Sequence, residues 1–381
     1  MNKRAIAILG AIFLLIVGTL AFLIFQRRAS NQQAAGTDDT TPTPTPTYGL
    51  PLPSVTPTSE VVPTEVATGL KPVSLATGGV ISPVLFYQGN GIAYFNSQGQ
   101  LFQADLDSSN AEPRLTNLRE LGIPGKTGVA KVYWPAAGNN FLVELTTADG
   151  STAWAVYVSS KGAYVDVPKQ VTSIMWMPDG EQLLYLWLEN GKTNLNISPA
   201  DLSTWQTITD MWENDDAISI APDGRTILFW RTKSGEATNT INMVSPDGKL
   251  FRTVVKDGYN VGALWSPDSQ KFAFNRRSES GILQLWVGNV YTGEVQNINV
   301  DARLDQVVWS PDSKIIYAAS GNTGGDLLYK IDIVGQTQKV VEVASRISPA
   351  ELFMSADGKG LFFRNNLDGG LYYLNVGLLG N

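Results

Sequence analysis

Residues 265–274 read WSPDSQKFAF, and residues 309–318 read WSPDSKIIYA. Their Pro/Ala-Asp-Gly/Ser tripeptide recurs at spacings of 44, 45, 44 and 45 residues, with its aspartates at Asp179, Asp223, Asp268, Asp312 and Asp357. Each aspartate follows a large apolar side chain by three residues and precedes an apolar run. A fixed period in this range is typical of a unit that can bury its apolar faces only against copies of itself.

The tripeptide has the chemistry of a turn. Proline presets the backbone for the second position of a type I turn, and aspartate hydrogen-bonds the local backbone. We therefore interpret the five aspartates as turn formers rather than as catalytic groups. We expect the tryptophans that precede these turns to pack between neighbouring units, namely Trp134, Trp176, Trp265 and Trp309.

Two degenerate copies, led by Tyr87 and Trp134, precede the five clear ones and bring the count to seven units in residues 71–381. Each unit contains four short strand-like runs bounded by Gly, Asn, Asp and Ser, which predicts an all-β, seven-bladed β-propeller of four-stranded antiparallel blades. The last unit has only three such runs before the chain ends. Because an unpaired edge would leave the ring open, we predict that residues 72–77 complete this blade.

The two quoted repeats resemble the WD-like Pro-Asp repeats of TolB-type propellers, and the resemblance covers roughly residues 80–381. It implies an extracytoplasmic propeller that binds other proteins or envelope components. The chain departs from TolB itself, because it has an apolar N-terminal segment in place of a cleaved signal, no room for an N-terminal α/β domain, and seven units instead of six. The partner and role of TolB are therefore not transferred. The repeats also resemble prolyl-oligopeptidase-type propellers, but no Gly-x-Ser-x-Gly motif is present.

Composition narrows the function further. The chain has 381 residues, 28 basic and 35 acidic side chains, and neither histidine nor cysteine. The acidic balance argues against general nucleic-acid binding. Without these two residue types, Ser-His-Asp and Cys-His catalysis, disulfides and His- or Cys-ligated metals are excluded. For an enzyme, mainly carboxylate chemistry remains, with Tyr, Lys or Arg in support, and we expect no cofactor.

The N-terminus has the pattern of a membrane anchor. Residues 5–25 carry no charge and are flanked by Lys3 and Arg4 on one side and by Arg27 and Arg28 on the other. A helix of this length spans a bilayer, so we predict a transmembrane signal-anchor within residues 1–28. A cleaved signal peptide is the alternative, although no clear small-residue cleavage site follows. The flanking charges give a slight preference for a cytoplasmic N-terminus.

Residues 29–70 are rich in Thr, Pro, Ser and Ala and predict a disordered linker. In an extended conformation, about 40 residues reach on the order of 100 Å. Such a stalk suits a domain that stands clear of a membrane. We therefore expect a single-pass membrane protein with its propeller, residues 71–381, on the extracytoplasmic side.

Candidate binding residues fall in the loops after second strands and in the loops that enter first strands, where propellers usually bind ligands. The candidates are Trp212, Arg231, Lys233, Arg276, Arg277 and Arg364. The basic members could form a local patch for an acidic peptide or an anionic glycan, or they could pair with nearby acids. Trp212 could anchor a partner or pack over the channel mouth.

Two further motifs are weaker. Residues 210–216, DMWENDD, cluster oxygen ligands that could hold calcium but lack a defined ligand spacing, so we favour a solvated loop and predict no metal site. Residues 147–154, TADGSTAW, resemble the Asp-box of sialidase propellers with shifted spacing, and that motif is in any case a turn element.

Two functions are compatible with the sequence. The first is a non-enzymatic, membrane-tethered propeller that binds a protein or a polymer of the cell envelope. The second is a carbohydrate-active enzyme or glycan-binding propeller with paired carboxylates, for which the candidates are Asp215 or Asp216 together with Asp305. The sequence does not fix the geometry that the second function requires.

Overall fold

The computed structural model of the chain describes residues 69–379 except 87–88, 110–111, 212–216, 232–238, 259–261, 278–281 and 323–324. These residues form seven four-stranded antiparallel sheets, which confirms the predicted all-β, seven-bladed propeller. The predicted membrane segment 1–28 and all of the predicted linker except Gly69 and Leu70 lie outside the described residues. Within the part of the chain that is described, no helix is long and apolar enough to cross a membrane.

The first strand along the chain, β1 (Val73–Ala76), belongs to the last blade, and the other blades follow in sequence order. From the inner to the outer strand, blade 1 consists of β2 (Ile81–Phe86), β3 (Gly91–Phe95), β4 (Leu101–Asp107) and β5 (Arg114–Glu120). Blade 2 consists of β6 (Val129–Tyr133), β7 (Phe141–Thr146), β8 (Thr152–Val158) and β9 (Ala163–Asp166). Blade 3 consists of β10 (Val171–Trp176), β11 (Gln182–Glu189), β12 (Lys192–Pro199) and β13 (Gln206–Asp210).

Blade 4 consists of β14 (Ala217–Ile220), β15 (Ile227–Trp230), β16 (Asn239–Val244) and β17 (Phe251–Gly258). Blade 5 consists of β18 (Leu264–Trp265), β19 (Lys271–Arg277), β20 (Leu283–Asn289) and β21 (Val295–Asn297). Blade 6 consists of β22 (Val307–Trp309), β23 (Ile315–Asn322), β24 (Gly325–Asp332) and β25 (Thr337–Val341). Blade 7 begins with β26 (Pro349–Met354), β27 (Gly360–Asn365) and β28 (Leu371–Asn375), and short 3₁₀ helices span Leu304–Gln306 and Val376–Leu379.

The ring is closed by β1, which pairs antiparallel with β28 as the outermost strand of blade 7. The register matches Val73 with Tyr373 and Ser74 with Tyr372, so the strand lies within the segment 72–77 that the sequence assigns to closure. Leu70 also forms a parallel bridge with Val343, in the connection between blades 6 and 7. Leu70, just ahead of the predicted start of the propeller at residue 71, thus already pairs with the ring.

Each repeat tryptophan links its blade to the preceding one. The indole N–H of Trp134 donates to the carbonyl oxygen of Ser82 at 2.7 Å, and that of Trp176 donates to the carbonyl of Tyr133 at 2.8 Å. Trp265 and Trp309 make the same contact with inner strands β14 and β18, at 3.4 and 3.1 Å. Because a buried indole N–H needs a partner, this bond lets tryptophan fill the space between blades without a polar penalty.

The repeat aspartates shape turns, as the sequence predicts. A carboxylate oxygen of each accepts the backbone N–H two residues ahead at 2.9–3.2 Å, in Asp179, Asp223, Asp268, Asp312 and Asp357. Neighbouring turns also bond to each other, because the hydroxyl of Ser269 accepts the N–H of Asp223 and that of Ser313 accepts the N–H of Asp268, at 3.0 and 2.9 Å. The turns of blades 4 to 6 therefore form a continuous belt.

The fourth strand of blade 5, β21, ends at Asn297, although the strand-like run of the sequence extends over residues 295–300. Asn299 has a φ of +57°, and the ladder is interrupted there. The two edges of this interruption bond to one residue, because Leu285 donates its N–H to Val300 and accepts the N–H of Ile298. This is the pattern of a β-bulge, which an alternating apolar sequence does not reveal.

Candidate functional site

The topology separates two faces of the ring. The connections between first and second strands and between third and fourth strands lie on one side, which we call the turn face. The loops between second and third strands and the connections between blades lie on the other, which we call the loop face. The sequence places every candidate binding residue on the loop face.

Four of the six candidates are described. Arg231 directly follows β15, Arg276 and Arg277 end β19, and Arg364 lies near the end of β27, so all four are at the loop face of blades 4, 5 and 7. Trp212 and Lys233 lie outside the described residues. The structure thus brings the described arginines to one face, while blade 6 separates those of blade 5 from Arg364.

Two of these arginines are held in defined positions. The guanidinium of Arg276 lies 4.8 Å from the centre of the Trp286 ring, in a cation–π contact with the neighbouring strand. Arg364 donates to Oδ1 of Asn366 at 2.9 Å, and its Nε lies 3.4 Å from Oε1 of Glu351, close enough for an ion pair but without hydrogen-bond geometry. Each side chain therefore contributes a fixed positive charge.

Glu351, which the sequence reading did not single out, connects blade 7 to blade 1. Its Oε2 accepts the backbone N–H of Ser82 at 2.8 Å, and the hydroxyl of Ser82 in turn accepts the N–H of Val132 in blade 2, at 2.9 Å. Glu351 and Ser82 have φ angles of +52° and +46°, and each lies where the pairing register of an inner strand shifts. Positive φ is strained for both residue types, and bulges redirect side chains.

Burial raises the pKa of the Glu351 carboxyl above its usual range. The charge of Arg364, the N–H of Ser82 and the charge of Lys131 act in the opposite direction, and the charge of Asp305 adds to the increase. The inner strands of blades 7, 1 and 2 thus share a network of charged and polar groups at the loop face.

A second polar group joins blades 6 and 7. Oδ2 of Asp326 accepts from the amide of Gln306 at 3.2 Å and from the hydroxyl of Ser348 at 3.0 Å. Oδ1 of Asn365 accepts the backbone N–H of Ser348 at 2.9 Å. These residues have no repeat position in common, so the periodicity gave no signal for them; only their polarity beside buried strands could have indicated them.

Of the three acids proposed for carbohydrate chemistry, the structure describes one, Asp305. Asp305 forms an ion pair with Arg303, two residues earlier, and Asp215 and Asp216 lie outside the described residues. Of the possible calcium loop, Asp210 is described, and its carboxylate accepts from the amide of Asn194 at 2.6 Å. Among the described residues, no group of three or more acidic side chains is arranged to hold a metal ion.

The Asp-box-like segment is a hairpin turn, as the sequence reading suggested. Residues 147–151 connect β7 to β8, and Asp149 accepts from the side chains of Thr147 and Ser151 and from the backbone of Ser151. These hydrogen bonds lower the pKa of Asp149 to about 2. The carboxylate is therefore committed to the turn.

Repeats, blade count and turn geometry together define a Pro-Asp repeat β-propeller. The family model described as the TolB beta propeller domain matches residues 154–351, about half of the chain. The chain therefore belongs to the TolB beta propeller domain family. No curated protein matches its sequence.

Solved structures share the fold at low sequence identity. Hydrazine synthase from Kuenenia stuttgartiensis aligns over 80% of this chain and 97% of its own, with 11% identity and a TM-score of 0.57. The structure of an oligogalacturonate lyase in complex with manganese aligns over 79% of this chain and 90% of its own, with 12% identity and a TM-score of 0.56. An oligogalacturonate lyase from Vibrio parahaemolyticus aligns over 80% of this chain and 91% of its own, with 10% identity and a TM-score of 0.56. At such identities the likeness concerns the fold alone.

Proposed function

We propose that this protein is a membrane-anchored, extracytoplasmic propeller that binds a protein or a polymer of the cell envelope and catalyses no reaction. The single observation that carries the proposal is the state of the charged groups on the loop face. Arg276 is fixed on Trp286, Arg364 is paired with Glu351, and Asp305 is paired with Arg303. Fixed charges of both signs suit recognition of a polar partner, because little side-chain freedom is lost on binding.

The placement of the N-terminal strand supports the tethered arrangement. Because β1 is the outermost strand of blade 7, the chain enters the ring at its rim. Strand β1 therefore does not cover either mouth of the central channel. Together with the apolar segment 5–25 and the Thr/Pro-rich segment that follows it, this suits a domain displayed on a stalk.

The alternative is a carbohydrate-active enzyme. Two proteins with a similar fold are oligogalacturonate lyases, and one of them binds manganese. Their identities of 12% and 10% carry no activity to this chain. Asp305, one of the three candidate carboxylates, is paired with Arg303, and this pairing counts against the enzyme. We therefore retain the binding function as the proposal.

Cross-linking in living cells tests the proposal directly. A photoreactive benzoylphenylalanine in place of Arg276 samples the loop face, and the same residue in place of the exposed Lys314 samples the turn face as a matched control. We expect covalent adducts with an envelope protein or polymer from position 276 and few or none from position 314. Equal capture at both positions, or none at either, would contradict the proposal.

An activity screen separates the alternative. The full chain is incubated with polygalacturonate and with a panel of neutral and acidic glycans, and product formation is followed by mass spectrometry. We expect no turnover. Cleavage that disappears in Asp305→Asn would support the enzyme and exclude the purely binding function.

A further inference from the structure

A cavity of about 620 Å³ lies between blades 1 and 2. Blade 1 contributes Phe86, Leu101 and Gln103, and blade 2 contributes Trp134, Phe141 and Tyr157. Its exposed lining residues, at positions 136–139, mark a mouth on the turn face. This volume is in the range of small-molecule sites, which hold about 300–1,000 Å³.

The turn of blade 2, which lines the cavity, departs from the repeat. Where blade 3 has Pro178 and Asp179, blade 2 has Ala136 and Ala137. The serine-to-turn hydrogen bonds of blades 4 to 6 have no counterpart among the described residues at this boundary. Two small side chains, Ala136 and Ala137, therefore stand where blades 3 to 7 carry Pro or Ala followed by Asp.

Gln103 is the polar group of the cavity interior. Its side chain is 7% exposed and lines the cavity, and no hydrogen bond to it is formed by any residue in the described part of the chain. Buried amides in the third strands of blades 3 and 4 have partners within the protein, because Asn196 accepts from Thr207 and Asn242 accepts from Thr253. Gln103 has no such partner among the described residues. The amide of Gln103 therefore faces the cavity without a protein partner, and a molecule that enters the cavity can supply its hydrogen bonds.

The walls decide what kind of partner fits. Trp134 and Phe141 lie 5.4 Å apart, and Phe141 stacks on Tyr157 at 4.8 Å between ring centres. None of the described lining residues is charged. Water alone would satisfy the amide but would hydrate aromatic walls, which is unfavourable.

We infer that this cavity is a binding site for a neutral, largely aromatic small molecule that offers one hydrogen-bonding group to Gln103. The amide both donates and accepts, so a hydroxyl or carbonyl group on the ligand pairs with it. The site is on the turn face and is independent of the function proposed for the loop face. It would equip the propeller to respond to a small molecule while the loop face stays available to a large partner.

The test uses 2-naphthol as the probe and the full chain reconstituted in lipid nanodiscs. Hydrogen exchange of the backbone amides in residues 101–104 and 134–141 is followed by mass spectrometry with and without the probe. At a probe concentration of about ten times Kd, we expect up to about tenfold slower exchange in these segments. Naphthalene-2-sulfonate, which carries a charge, serves as the negative probe and is expected to give no protection.

Three variants locate the effect. Ala136→Trp fills the mouth and is expected to abolish protection, while Ala163→Trp, at an exposed position of blade 2 outside the cavity, leaves it intact. Gln103→Leu keeps the volume but removes the amide, so affinity for 2-naphthol is expected to fall by about three- to tenfold, while affinity for naphthalene is retained. Absence of protection in the unaltered chain, protection that survives Ala136→Trp, or an undiminished preference for 2-naphthol in Gln103→Leu would overturn the inference.

Discussion

The boundary between blades 5 and 6 and the boundary between blades 1 and 2 use the same tryptophan with different turns. Trp309 donates its indole N–H to Leu264, and Trp134 donates its own to Ser82. At the first boundary Ser313 accepts the N–H of Asp268, and Trp309 packs within a cluster of buried apolar side chains. At the second the turn carries alanines, and a cavity remains beside Trp134.

The difference separates two roles that the repeat motif combines. The tryptophan alone is enough to set one blade against the next, because blade 2 keeps this bond without the tripeptide. In blades 4 to 6 the tripeptide also joins neighbouring turns through its serine. A blade can therefore lose the tripeptide and stay in the ring, and the space released becomes available for another use.

The largest expected effect on stability comes from removing a fully packed repeat tryptophan. Trp309 is 4% exposed, and Trp309→Ala is expected to lower the free energy of unfolding by about 3–5 kcal/mol, because it leaves a large cavity and an unpaired carbonyl. Trp134→Ala enlarges a space that already exists, so we expect a smaller loss, about 2 kcal/mol. Urea denaturation followed by circular dichroism measures both. Equal losses would show that the two boundaries are equally well packed.

A smaller effect is expected from the serine that links two turns. Ser313→Ala removes the acceptor of the Asp268 N–H and is expected to cost about 1–2 kcal/mol. Ser313 also has a φ of +60°, where glycine is unstrained, and the corresponding residues of blades 3, 4 and 7 are glycines. Ser313→Gly should therefore be less destabilising than Ser313→Ala in the same denaturation assay. The reverse order would mean that the backbone angle, and not the hydrogen bond, has been misjudged.

The smallest effect comes from restoring the motif in blade 2. Ala137→Asp supplies a carboxylate for the turn and is expected to stabilise the protein by about 0.5–1 kcal/mol at pH 7. In blade 6, the hydrogen bond from Ser310 is the main cause that lowers the pKa of Asp312, and the backbone N–H of Lys314 adds to it. Blade 2 has Pro135 where blade 6 has Ser310, so Ala137→Asp can gain only the bond from the backbone. The stability that this bond contributes should be complete above pH 3.8 and disappear as the pH falls below that value.

Thermal unfolding from pH 7 down to pH 2 measures this pH dependence, with Ala137→Asn as the uncharged control. The control should show a similar turn preference without the loss at low pH. If Ala137→Asp destabilises the protein at pH 7, the turn of blade 2 does not accept the repeat geometry.

Most of the fold can be predicted from the sequence because each repeat corresponds to one blade. The period gives the number of blades, the tripeptide gives the turns, and the missing run in the last unit gives a reason for β1 to pair with β28. The bulges at Ser82, Asn299 and Glu351 were not predictable, because they depend on contacts between blades and leave the apolar alternation unchanged.

The candidate site was predicted less completely. Arg276 and Arg364 lie on the predicted face, but their partners Trp286 and Glu351 were not anticipated, because each belongs to a strand whose orientation only the structure supplies. Gln103 was missed for a related reason. A single polar residue in a strand gives no sign that it is buried until the neighbouring blade is in place.

The position of β1 also has a mechanical consequence. A pull on the chain ahead of Gly69 reaches the contact of Leu70 with Val343 and then the ladder between β1 and β28 before it reaches any other blade. The pairing of β1 with β28, which closes the ring, is thus among the first contacts to bear tension. If the propeller is tethered as proposed, tension on its N-terminal segment would separate β1 from β28 first, while the sheets of the other six blades stay intact.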